Sequence, residues 1–219
     1  MGIVWDGITD KSMLNDWVIE ARNELSDAAK NYEWQRVFRV LDKHPEFVNT
    51  ARIGGKSLYT PLHQAAHGGA TVDIARSLIE KGAWRTIQNV RGERPVDVAA
   101  RCRHQHLTEV LAPDLKRHVP FGVLHKIQAF FHSVINRRIH EMELDPNLRF
   151  PELESLLELE RSKIWFAIPG MYGGFSYWLE HEGVEAKLIC ESWCRVAGGS
   201  GQRHEITSIG SQLVAEGFV

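Results

Sequence analysis

Cysteine is scarce in this chain, with three in 219 residues. So small and odd a number makes no disulfide framework and suits a reducing compartment, so the expected location is cytoplasmic. An excess of either charge is also missing: 26 Lys and Arg against 28 Asp and Glu leave a net charge of −2, which argues against a nucleic-acid coat protein. Long apolar runs are absent too. The longest uncharged stretch, Ile164 to Leu179, is 16 residues and is interrupted by Pro169, Gly170, Gly173 and Gly174, too short and too broken to span a bilayer. The opening MGIVWDGITD has no basic residue and no apolar core, so it does not read as a signal peptide, and Asp6 stands where an N-myristoylation motif needs Ser or Thr. What the chain does have is a hydrophobic share of 43%, which rules out intrinsic disorder and supplies a core for one large or two small domains.

An internal repeat organises the first half. Thr60-Pro61-Leu62-His63-Gln64-Ala65-Ala66 recurs 34 residues later as Arg94-Pro95-Val96-Asp97-Val98-Ala99-Ala100, keeping the proline, the apolar third position and the alanine pair. Pro61 and Pro95 suit the first turn of a helix, where a missing N–H costs nothing. The paired alanines let short helices approach closely, and Gly82 suits a helix C-terminus that requires positive φ.

The first copy resembles the ankyrin repeat in its T-P-L-H-x-A core, and the resemblance continues through Ile74, Leu78, Ile79, Gly82-Ala83 and Gly92. It covers residues 20–112 as about three repeats. The first is degenerate and is carried by Leu25, Ala28, Ala29, Val37, Phe38, Leu41, His44-Pro45 and Val48-Asn49. The segment from Thr50 to Tyr59 makes a finger longer than the family usually has. Because each repeat covers its apolar face only with its neighbours, the stack needs a cap, and Phe121 to Ile139 supplies an apolar stripe at helical spacing.

The last third differs in character. From Leu115 to His140 there are five basic residues and no acid, whereas Glu141 to Glu160 holds seven acids and one base. Period-two alternation then predicts strands over Phe175 to Glu180, Ala186 to Val196 and Arg203 to Ile209, with Ser211 to Val219 a closing helix or strand. Leu188, Cys190, Ser192, Cys194 and Val196 share one predicted face, and the apolar helix is the expected support for this sheet. The fold class is therefore α+β: a short α-helical ankyrin-repeat stack, a helical cap and a small antiparallel β-meander. The domains are an amino-terminal extension (1–19), the repeats (20–112), the capping helix and connector (113–149) and a small α+β domain (150–219). Gly170 to Phe175, Glu191 to Val196 and Gly198 to Thr207 resemble the tail that follows ankyrin repeats in a set of uncharacterised bacterial proteins. That resemblance names no activity.

The resemblance implies a protein-binding role through finger tips and the concave helix face. On this chain those are Arg52, Ile53, Lys56 and Tyr59 on the long finger, Gln88, Arg91 and Glu93 on the next, and Gln64 and His67 on the inner helix. It makes His63 a structural residue that hydrogen-bonds nearby backbone. In the tail, the turn Gly198 to Gly201 with Gln202, Arg203 and His204 is a candidate cradle for a phosphate or carboxylate, with Tyr172 and Arg195 as further candidate ligand contacts. A plain hairpin turn is the competing reading. Cys190 and Cys194 stand four apart, which on a strand is roughly 13 Å and too far for one zinc ion. Ser200 or Cys194 near His204 or His181 matches no nucleophile setting, so no catalytic residue, metal or cofactor is expected. Arg101, Arg103, His104 and His106 read as a solvated basic face without aromatic interleaving. The expected function is a non-enzymatic adaptor or inhibitor that binds a protein partner. The alternative is a ligand-binding or enzymatic tail targeted by the repeats.

Overall fold

The computed structural model describes residues 2–144, 147–160, 163–195 and 200–217. Residue contacts divide the chain into two units, one of Thr9–Asp114 and the other of Met1–Ile8 with Leu115–Val219.

The first unit is built from paired helices: α1 (Asp16–Lys30) with α2 (Trp34–Lys43), α3 (Pro61–Gly68) with α4 (Val72–Glu80), and α5 (Pro95–Arg101) with the short α6 (Thr108–Leu111). Local sequence dictates where they start. Thr60 caps α3 with its hydroxyl, Pro61 occupies the first turn, and His63 answers from the third position to close a capping box. Thr71 caps α4 by accepting from the Ile74 N–H, and the Asp97 carboxylate accepts from the Arg94 N–H at the start of α5. After α4 the chain turns at Gly82 with φ +94°, the conformation expected of it. Helix α3 touches both α1 and α5, so the three inner helices lie in one layer, and α4 meets α6 in the outer one. Ala28, Ala29, Ala65, Ala66 and Ala99 are buried in the seams among Leu25, Val37, Leu41, Leu62, Leu78 and Val98. Small residues at these seams allow the helices to stack closely, and each repeat thereby hides the apolar face of the next.

The second unit is a six-stranded sheet in the order β1 (Ile3–Trp5), β2 (Ile164–Ile168), β3 (Gly173–Glu180), β4 (Lys187–Cys194), β5 (Ser200–Thr207) and β6 (Gly210–Gly217). β2 to β6 form an antiparallel meander, and β1 joins parallel to β2 through Ile3, Val4 and Trp5. Sequence reading foresaw β3 and β4, began β5 three residues late and left β6 open between helix and strand. It missed β2, and it assigned the first residues to an extension where Ile3–Trp5 pair into the sheet.

Helix α7 (Phe121–Glu141) lies against β4, β5 and β6, with the turn Leu153–Glu158 beside it. It is the support expected for the sheet and belongs to this unit. Its Leu124, Ile127, Phe131, Val134 and Ile135 are buried, and the Phe131 and Tyr177 rings meet with centroids 4.9 Å apart. On β4, Leu188, Cys190, Ser192 and Cys194 are buried while Lys187 and Glu191 are half-buried and Trp193 is exposed. Those four are the described members of the expected face; Val196 lies outside the described residues. No helix among the described residues is long and apolar enough to cross a membrane.

Candidate functional site

Of the nine partner-binding candidates, four converge. Arg52, Lys56, Tyr59 and Gln64 line one cleft of about 300 Å³ together with Ser26, Ala29 and Lys30 from α1 and Gly55, Ser57 and Pro61. The long finger forms one wall and the inner helices α1 and α3 the other. Tight turns shape the finger: Gly54 takes φ +65°, its N–H donates to the Thr9 carbonyl, and the Gly55 N–H donates to the Arg52 carbonyl. Ile53 sits half-buried in that turn.

Tyr59 is fixed at both ends. Its ring stacks on His63 with centroids 5.4 Å apart, and its hydroxyl accepts from the Arg101 guanidinium at 2.9 Å. Arg101 also holds Glu93 at 2.6 Å, and Asn89 donates to the same carboxylate at 2.8 Å. The ion pair with Arg101 keeps the Glu93 carboxyl below the usual carboxylate range. Glu93, a candidate partner contact, thus also ties its finger to α5. Arg101, placed in a solvated basic face, instead positions the tyrosine. His67 is exposed at the end of α3, hydrogen-bonded to the Tyr32 hydroxyl at 3.0 Å and edge-on to Tyr59. Arg91 is exposed at the tip of the second finger, and Gln88 is half-buried behind it. Gln88, Arg91 and Glu93 do not line the cleft.

His63 is structural, as expected. Its Nδ1 accepts from the Thr60 N–H at 3.3 Å, which leaves Nε2 protonated and donating to the Glu93 carbonyl at 3.1 Å. One neutral imidazole thus joins the helix cap to the next finger.

Ser26 and Lys30 were not foreseen, although their place was readable. Ala28 and Ala29 mark α1 as an inner helix, and the residues beside that pair face the concave side as Gln64 does beside Ala65 and Ala66. The degenerate first repeat hid this equivalence. Arg52 is ion-paired with Asp27. Lys30 and Lys56 are both exposed and have no ion-pair partner among the described residues.

In the second unit the five ligand candidates do not gather. Alternation along β5 sends Arg203 to one face and Gln202 and His204 to the other. Arg203 lies over the Trp178 ring at 5.8 Å and reaches Glu191 at 3.4 Å. Gln202 donates to Glu216 at 3.0 Å, and His204 is buried on the side of α7. Burial and the nearby Arg137 and Arg138 push the His204 pKa down, partly offset by Glu141 and Glu216. Tyr172 is 78% exposed with φ +50° in the turn before β3, and its carbonyl accepts from the Arg195 N–H at 3.3 Å. Arg195 is exposed. Gly198 and Gly199 of the expected cradle lie outside the described residues. Cys190 and Cys194 are buried thiols outside any disulfide, Cys194 Sγ lies 3.2 Å from Ser200 Oγ, burial raises the Cys190 thiol pKa, and no cluster of metal ligands occurs among the described residues.

A wider cleft of about 640 Å³ opens in this unit beside Arg117, Glu160, Lys163, Trp178 and the segment Leu179 to Glu182. Its polar groups largely satisfy one another. Arg117 donates to the Leu179 and His181 carbonyls at 2.8 and 2.7 Å, and Lys163 sits 4.0 Å over the Trp178 ring while pairing with Glu191.

The ankyrin repeat family model matches residues 57–90. No curated protein gives a significant match. Among solved structures, a chain of the complex of a predatory endopeptidase from Bdellovibrio bacteriovorus with an immunity protein is similar at 28% identity and a TM-score of 0.34. That match covers 40% of this chain and 43% of the other, so it spans less than half the length of each. Capped helices, alanine seams and the family match agree that residues 57–90 are an ankyrin repeat.

Proposed function

We propose that the protein is an interaction module, an adaptor or inhibitor that grips a protein partner between the long finger and the inner helices of its repeat stack. The observation that carries this reading is the convergence of Arg52, Lys56, Tyr59 and Gln64 on one cleft, with Tyr59 held by His63 and Arg101. A tyrosine already ordered in the free protein loses little side-chain entropy on binding, and tyrosine and arginine are the residues that dominate interface energies. His67, edge-on to Tyr59, extends the same surface. The reading requires no chemistry from the second unit.

The test is affinity capture with the full chain, followed by binding measurements on the purified partner. Arg52→Ala with Lys56→Ala and Tyr59→Ala should abolish capture, and Arg203→Ala with His204→Ala should leave it. A partner retained by the folded finger variant, or lost only with the second pair, would contradict the proposal.

A further inference from the structure

We infer that the cleft is a carboxylate pocket, and that the partner segment it takes is acidic, presenting Asp or Glu side chains. This rests on the proposed protein-binding reading and adds the chemistry of the partner. Three cations, Lys30, Arg52 and Lys56, line the cleft and no Asp or Glu does. Only Arg52 has its charge answered, by Asp27 in a half-exposed ion pair. The ammonium groups of Lys30 and Lys56 remain without an ion-pair partner among the described residues and stand on opposite walls, one from α1 and one from the finger. The hydroxyls of Ser26 and Ser57 and the amide of Gln64 add neutral donors around them. At about 300 Å³ the space lies at the lower limit of small-ligand pockets and suits one or two side chains.

A carboxylate entering here meets two unpaired ammonium groups in a partly enclosed site, where charge-assisted hydrogen bonds are stronger than at an open surface. A basic segment would instead bring like charges together and leave Lys30 and Lys56 unanswered. A nucleic-acid strand is disfavoured because its affinity grows with the number of phosphates neutralised, and the cleft offers two free cations on a chain of net charge −2. The Tyr59 ring supplies apolar area beside the charges, so a segment with an apolar residue next to its acid fits best.

The test uses the full chain and a rhodamine-labelled, end-blocked hexaglutamate peptide, followed by fluorescence anisotropy at low salt. Saturable binding that weakens with added salt is expected. Lys30→Gln with Lys56→Gln should weaken it by about tenfold or more, while Lys11→Gln with Lys43→Gln should not. Lys30→Glu with Lys56→Glu should reverse the preference toward hexalysine. Absence of saturable binding, or equal loss with both lysine pairs, would overturn the inference. So would free glutarate competing as well per carboxylate as the peptide, since the pocket would then serve a small molecule. The inference and the reading beneath it fail differently: a captured partner that needs Tyr59 but ignores Lys30 and Lys56 leaves the interaction module standing and removes only its acidic specificity.

Discussion

His63 shows how one side chain in this fold serves several elements. The capping box it closes with Thr60 fixes the start of α3, its Nε2–H holds the Glu93 carbonyl of the following finger, and its ring supports Tyr59. Thr60→Ala removes the cap and the hydroxyl contact with His63 Nδ1 but keeps the imidazole in place, and should cost about 1 kcal/mol, read as a shift in the urea midpoint. His63→Ala should cost more than Thr60→Ala, and should also weaken partner binding because Tyr59 loses its stacking face. Arg101→Ala separates the two effects. It frees the Tyr59 hydroxyl and Glu93 at an exposed position, so stability should change little while partner affinity falls. Two other histidines make the second unit acid-sensitive. Burial depresses the pKa of His132, whose Nε2 donates to the Pro151 carbonyl at 2.8 Å, and burial with the neighbouring arginines depresses that of His204. An unfolded chain binds a proton at about the ordinary value of 6.5, before either folded histidine does. Stability is therefore full above about pH 6.5 and declines as pH falls toward the depressed values. Thermal denaturation from pH 8 to pH 5 should follow this course, and His132→Asn with His204→Asn should flatten it.

At the scale of elements, what was legible in the sequence is what local residues decide. The Pro61 and Pro95 helix starts, the alanine seams and Gly82 announced α3, α4 and α5, and the two glycine-bounded runs of alternation announced β3 and β4. Leu62 is buried in the seam between inner helices, and Leu62→Ala should cost about 2–5 kcal/mol by opening a cavity there. Lys30→Gln and Lys56→Gln, at exposed positions, should leave the denaturation midpoint almost unchanged. β1 was illegible for a physical reason: three residues carry no periodicity, and their partner strand begins 161 positions away at Ile164. Yet Trp5 is buried against the sheet, and its indole N–H donates to the Arg149 carbonyl at 2.9 Å. Trp5→Ala should therefore cost about 3–5 kcal/mol and expose the amides of β2 to hydrogen exchange. The scatter of the tail candidates has the same kind of cause. Gln202, Arg203 and His204 are neighbours in sequence, and a strand sends neighbours to opposite faces. Reading β5 as starting at Arg203, with a flexible turn before it, concealed that Gln202 was already inside the sheet.

Across the whole molecule, the two units distribute their charged groups differently. In the second unit the cations of the wider cleft answer nearby carboxylates and carbonyls, with Lys163 paired to Glu191 and Arg117 held by backbone oxygens. In the repeat unit the cleft keeps two ammonium groups unanswered beside an immobilised tyrosine. That contrast favours the proposed binding role for the repeats. Residues 1–112 sum to +1 and residues 113–219 to −3, so the proposed preference for an acidic segment rests on local placement of charge and not on a strong field. The most direct test of this account is the dissociation constant of the captured partner for the full-length wild type, the Tyr59→Ala variant and the Arg203→Ala/His204→Ala variant, measured by calorimetry at one salt concentration. The account predicts about a tenfold or greater loss with Tyr59→Ala and an unchanged constant for the tail pair. Equal affinity for the wild type and Tyr59→Ala, with loss confined to the tail pair, would contradict it.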